Sequence, residues 1–194
     1  MYIEKDITDD EMVATFLKGE IDSTSFGLCI RDGLEQDKKN REIVDEPNFL
    51  DTEENGYRKY LLGKCRGYGR NTFLFNNFPA DIQWKRVILD KTDLSKVKYI
   101  NCSNWSQWTG NSRLPLDGAK HSELINQCKE LVETLKRGEK FFEIILVASN
   151  INDTPIILDG NHRMTAYFIE PQHAPEELRC IIGFSEKLNN WTFY

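Results

Sequence analysis

Several signatures that would decide a function at once are missing. The five cysteines, Cys29, Cys65, Cys102, Cys128 and Cys180, contain no C-x-x-C pair, so neither a zinc ribbon nor a thioredoxin-type motif is present. With only His121, His162 and His173 beside them, a Cys/His metal site would need distant residues to converge. Reduced thiols in a cytosolic protein are the expected state. No apolar run exceeds Ile144–Ala148, far short of the ~20 residues needed to cross a bilayer. The opening MYIEKDITDDEM is acidic and has no apolar core, which argues against a secretory signal. A cytoplasmic protein without a membrane partner is therefore expected. Positive charge is also in short supply: 25 Lys and Arg against 31 Asp and Glu give a net charge of −6. Broad DNA binding normally rests on a basic face, so DNA is a disfavoured partner.

What is present suffices for a core, with 40% apolar and 11% aromatic residues in 194. Residues 8–18 read as a short helix, capped by Thr8 or Asp9, with an apolar stripe of Met12, Val13, Phe16 and Leu17 and a stop at Gly19. Residues 31–60 are charged, poor in apolar residues and interrupted by Pro47, so they are expected to be irregular or mobile. The segment GKCRGYGR at 63–70 lacks the Walker frame, since Lys64 is followed by Cys65; a basic glycine turn beside a strand is the simpler reading. Thr72–Phe75 and residues 84–90 are expected strands, and residues 92–99 a short helix. Trp105, Trp108 and Arg113 lie on a polar stretch, either as a ligand-facing wall or as an anchor to the core. Residues 119–137 give the clearest helix, with Leu124, Cys128, Leu131 and Leu135 on one face and Gly138 closing it. Two β-rich runs, 141–149 and 155–159, flank an Asn/Asp-rich turn and predict a hairpin. Residues 178–184 read as a last strand.

The chemistry concentrates in Ile156-Ile157-Leu158-Asp159-Gly160-Asn161-His162-Arg163, followed by the helical run MTAYFI. A strand enters a glycine turn and then a helix. The free N–H groups and the dipole of a helix N-terminus make an anion site. His162 and Arg163 would add charge-assisted bonds to a phosphate, and Asp159 could cap the helix, take a hydroxyl proton or bind Mg²⁺. Two cationic side chains in a first turn oppose the helix dipole. A bound anion would relieve that conflict.

The string Asp159-Gly160-Asn161-His162-Arg163 with Ala166, between an apolar strand and a helix, resembles the Asp-Gly-x-His-Arg signature of the ParB/sulfiredoxin superfamily. The resemblance covers roughly residues 85–184. It implies an α+β fold: a small mixed sheet with a β-hairpin and packed helices in a core domain at 81–194, preceded by an N-terminal extension over 1–80. It further implies binding of a nucleoside triphosphate, ATP or CTP, with Mg²⁺. Gly160, Asn161, His162 and Arg163 would hold the phosphates, with Arg113 contributing. Asp159 would bind the metal or orient an acceptor, and His162 and Glu143, or alternatively Asp153, would assist catalysis. Asn161 stands where sulfiredoxins carry their cysteine and no other cysteine is adjacent, which argues against sulfinic-acid repair. The short tail after residue 184 leaves no room within this sequence for the DNA-binding domain of partition proteins.

A Mg²⁺-dependent NTPase or small-molecule phosphotransferase is therefore the leading expectation, with nucleotide and a small acceptor as partners. The alternatives are a DNA-processing nuclease, with Lys64, Arg66, Arg70, Lys85 and Arg86 lining an approach, and a non-catalytic nucleotide-controlled interaction module.

Overall fold

The computed structural model describes all 194 residues as a mixed α+β fold around one open five-stranded sheet. In chain order the elements are β1 (Tyr2–Asp6), α1 (Asp9–Glu20), α2 (Gly27–Gln36), α3 (Glu42–Asp45), α4 (Thr52–Arg66), β2 (Gln83–Asp90), α5 (Lys91–Leu94), α6 (Ser103–Trp108), α7 (Pro115–Gly118), α8 (Ser122–Gln127), α9 (Lys129–Lys136), β3 (Ile144–Ala148), β4 (Ile156–Asp159), α10 (Asn161–Ile169) and β5 (Glu177–Phe184). Short 3₁₀ turns occupy Phe73–Phe75 and Glu186–Asn190. The strand order is β1-β2-β5-β3-β4; only the β5–β3 pair is parallel.

Alternation along the strands divides the core in two. Trp84, Ile145, Val147, Ile156, Leu158 and Ile181 face α1, α2, α3 and α4, where Met12, Phe16, Ile30, Val44 and Leu61 complete one apolar cluster. Val87, Leu89, Leu146, Ile157, Cys180 and Ile182 face the other layer, where Leu124, Cys128, Leu135 and Met164 complete the second. The first 80 residues therefore supply an edge strand and the helical layer on one face. No helix is long and apolar enough to cross a membrane.

Several local expectations are corrected. Residues 31–60 hold helices. Asp51 caps α4 by accepting from Glu53 and Glu54 N–H at 2.9 and 3.0 Å. The buried Arg58 guanidinium donates to the Ile43 and Asn48 carbonyls at 2.9 and 3.1 Å. One buried cation thus orders a polar stretch that has little apolar content of its own. Residues 63–70 are the last turn of α4 and its left-handed stop at Gly67, not a turn beside a strand. Thr72–Phe75 forms a 3₁₀ turn instead of a strand. The helix expected over 119–137 is broken at Cys128, whose φ of −92° and ψ of 0° join α8 to α9. The bend still buries Leu124, Cys128 and Leu135 together, and the Cys128 thiol donates to the His162 carbonyl at 3.6 Å.

The cysteine expectation is also revised. Cys29 of α2 and Cys65 of α4 form a disulfide with Cα atoms 5.8 Å apart, while Cys102, Cys128 and Cys180 are free. The closed loop has a sequence separation of 36, so chain-entropy arguments give about 3 kcal/mol of stabilisation. Reduction by a dithiol is expected to lower the melting temperature by about 5–10 °C, read by thermal denaturation with and without dithiothreitol. An unchanged midpoint would show that the bond carries no stability.

Candidate functional site

The Asp159–Arg163 turn owes its geometry to two local features. The first is an irregularity in the β3–β4 ladder, where Ile145 pairs with Asp159 but Leu146 pairs with Ile157. One extra residue in β4 makes a bulge, and bulges re-aim side chains. Strict alternation would put Asp159 on the face of Ile157. The bulge instead turns it to the side of Ile145, toward the N-terminal helices. The second is Gly160, which takes φ +99° as the residue before α10, a region disfavoured for L side chains. An added Cβ there would also meet Ile144 Cγ1 at 3.0 Å.

Asp159 is 4% exposed and closes an ion pair with Arg163 four residues later. The same guanidinium donates to the Phe142 carbonyl at 3.0 Å and the Glu143 carbonyl at 3.2 Å. Arg163 is thus a latch across the turn and the start of β3. Its head presses against α1, where a Cβ on Gly19 would stand 2.9 Å from Nη2. The neighbouring Glu20, 9% exposed, has its carboxyl pushed up to about 8 by burial and by the Asp159 charge, against the pull of Arg66. The Ser23 hydroxyl donates to Glu20 Oε2 at 3.2 Å. The Asp159–Arg163 pair therefore lies against the C-terminal end of α1, where the buried Glu20 carboxyl responds to the charges of Asp159 and Arg66.

The conflict with the helix dipole is resolved inside the protein. Arg163 is neutralised by Asp159, and burial lowers the basicity of His162. The His162 Nε2 sits 3.0 Å from Gln127 Oε1, with its ring edge-on to Trp105. The first three amides of α10, those of Asn161, His162 and Arg163, donate to no protein group, and no side chain caps the helix. The Asn161 Oδ1 is likewise buried without a partner.

The other residues singled out by the sequence sit differently. Glu143 is bound bidentately by Arg86 at 2.8 and 3.0 Å, and only its backbone carbonyl reaches the turn. Asp153 accepts from the Tyr194 hydroxyl at 3.1 Å. Arg113 donates to the Tyr99 and Tyr194 carbonyls at 2.9 and 3.4 Å, with no bond to the Asp159–Arg163 turn. Trp105 is an anchor, stacked on Tyr99 with centroids 4.2 Å apart. Among the cations considered for DNA, Lys85 pairs with Asp6, and Arg86 with Glu11 and Glu143. Glu20 is not visible in the motif; its only sequence signal is an acid at a helix C-terminus, where the dipole disfavours it.

A resident Mg²⁺ does not fit Asp159 as it stands, because the carboxylate is covered by the Arg163 guanidinium. No three His, Cys, Asp or Glu side chains converge on a metal position either. No protein-family model, curated protein or solved structure matches the chain.

Proposed function

We propose that the chain binds the phosphates of a nucleoside triphosphate at the start of α10 and transfers the terminal phosphoryl group to water or a small acceptor. The observation that carries this reading is the set of three unpaired amides at the start of a nine-residue helix, beside a buried carboxyl pair. The amides and the helix dipole supply positive potential without side-chain reorganisation. Phosphoryl transfer needs mainly positioning and charge stabilisation. Arg163 fixes the turn from below, so it acts as a positioning residue. The proton held between Glu20 and Asp159 provides an acid–base pair for an acceptor or a leaving oxygen. The similarity to the ParB/sulfiredoxin signature supports the same ligand class, with ATP or CTP supplied as its Mg²⁺ complex. A cytoplasmic location belongs to the same proposal, and there the Cys29–Cys65 bond would be exposed to a reducing thiol pool.

Thermal-shift titration with ATP, CTP and GTP, each with Mg²⁺, tests the binding half. A ligand at ~100 times its dissociation constant adds about 2.7 kcal/mol to the folded state. One nucleotide is expected to raise the melting temperature by several degrees. For turnover, Glu20→Gln keeps size and neutrality but removes the titrating proton, so phosphate release should fall about a hundredfold with binding retained. No stabilisation by any nucleotide would overturn the reading.

A further inference from the structure

We propose that the Cys29–Cys65 bond is a reversible redox site, opened in the folded protein by thiols of the glutathione class, and that its opening frees the first turn of α2. The site is independent of phosphate binding at α10.

Neither cysteine is closed off: both keep part of their surface in solvent, whereas the free thiols of Cys128 and Cys180 are buried. The bond is also not alone in holding α2 to α4. Ile30 and Leu34 of α2 and Leu61 and Leu62 of α4 share one apolar cluster. The Tyr57 hydroxyl donates to the Gly33 carbonyl at 3.4 Å and to Asp37 at 3.1 Å, and Lys64 donates to Gln36 Oε1 at 3.1 Å. These contacts act on α2 from Ile30 onward, so that part of the helix keeps its place without the bond. In the first turn Leu28 is exposed, and Cys29 supplies the covalent tie beside the Phe26–Arg66 stack. The N–H groups of Phe26 and Gly27 both donate to Ser23 Oγ at 3.1 Å, and the Ser23 hydroxyl donates to Glu20 Oε2 at 3.2 Å. The first turn of α2 therefore joins the disulfide to the C-terminal end of α1.

The two sulfurs differ as leaving groups. Cys29 lies in the first turn of the ten-residue α2, where the helix dipole favours a thiolate; Cys65 lies in the last turn of α4, where the dipole opposes one. A small thiolate therefore attacks Cys65 Sγ, the S–S bond breaks, and its electron pair leaves on Cys29 Sγ. A second small thiol attacks the mixed disulfide at Cys65, which releases the Cys65 sulfur and forms a small-molecule disulfide. Two electrons pass to the protein. The two protons lost by the attacking thiols go to the protein sulfurs or, while Cys29 stays ionised, one goes to water. An excess of the small-molecule disulfide runs the same steps backward.

The test equilibrates the oxidised full chain with millimolar reduced glutathione, then with excess oxidised glutathione, and maps maleimide-blocked thiols by peptide mass. Thiols at Cys29 and Cys65 are expected to appear and then disappear, with the circular dichroism unchanged. Brief alkylation of the reduced protein with iodoacetamide should label Cys29 about tenfold faster than Cys65. On reduction, amide hydrogen exchange should rise about tenfold or more over residues 22–29, while α2 from Ile30 onward and the sheet stay protected. The Cys29→Ser, Cys65→Ser double variant should show the reduced pattern in either buffer. A bond that stays closed in the folded chain under reduced glutathione is a structural link and overturns the proposal. Reduction that unfolds the whole chain, or that leaves exchange over 22–29 unchanged, overturns it too. Equal labelling of the two sulfurs overturns the assignment of Cys29 as the leaving group.

Discussion

Replacing Arg163 by alanine is expected to destabilise the fold by about 3–5 kcal/mol, the usual cost of stripping one partner from a buried ion pair. The size follows from what the guanidinium touches. It neutralises Asp159, which is almost fully buried, and joins the turn to the Phe142 and Glu143 carbonyls. Without it, Asp159 is left buried beside the Glu20 carboxyl, whose ionisation its charge already opposes. For a chain of this length the melting temperature should fall by about 6–20 °C. The Asp159→Ala, Arg163→Ala double variant should lose less than the sum of the singles, since each single strands its partner. If Arg163 were a ligand-facing cation with no structural burden, the single change would cost under ~0.5 kcal/mol, as exposed substitutions do. A thermal melt separates the two cases. The result also sets how activity is read: lost turnover in Arg163→Ala reports on the latch as much as on phosphate binding.

The second large effect is a dependence of stability on pH that one residue controls. Burial and the Asp159 charge raise Glu20 from an ordinary value of 4.5 to about 8. The folded state therefore keeps a proton that the unfolded chain releases. The associated stability is fully present below about pH 4.5 and is lost as pH rises through about 8. A tenfold difference in proton affinity between the folded and unfolded chain is worth roughly 1.4 kcal/mol, so the total is on the order of several kcal/mol. The groups acting on Glu20 are Asp159 on β4, Arg66 on α4 and the Ser23 hydroxyl, with Arg163 against the preceding Gly19. The melting temperature should decline by several degrees between pH 6 and pH 9. Glu20→Gln should flatten that decline and leave the variant more stable than wild type at pH 9. Equal slopes for the two proteins would show that Glu20 ionises freely.

The strand–turn–helix carrying the motif is readable because its signals are local. The apolar run 156–158, the glycine and the helical continuation each dictate their own backbone. The same holds for the hairpin, the strands at 84–90 and 178–184 and the apolar stripe of α1. The strand Tyr2–Asp6 is not readable, since all five of its residues are exposed and no alternation marks them. The helices between residues 27 and 66 are hidden because long-range contacts order them: Arg58 through two carbonyls, and the Cys29–Cys65 bond through 36 residues of chain. The same reason governs the site. Glu20 and Arg66 reach Asp159 from far away in sequence, and a one-residue bulge that no composition signals turns Asp159 toward them. The motif locates the turn but not the company it keeps. It also assigns Arg163 outward, whereas the bulge gives that guanidinium a buried carboxylate to hold.

The central claim is that a polyphosphate sits on the first amides of α10. Amide ¹H–¹⁵N spectra recorded during a tripolyphosphate titration at about pH 6.5 test it most directly. The account predicts saturable shifts largest at Asn161, His162 and Arg163, with Gly160 beside them. Saturable binding that leaves those amides unmoved and perturbs another surface, or no binding at millimolar ligand, would contradict it.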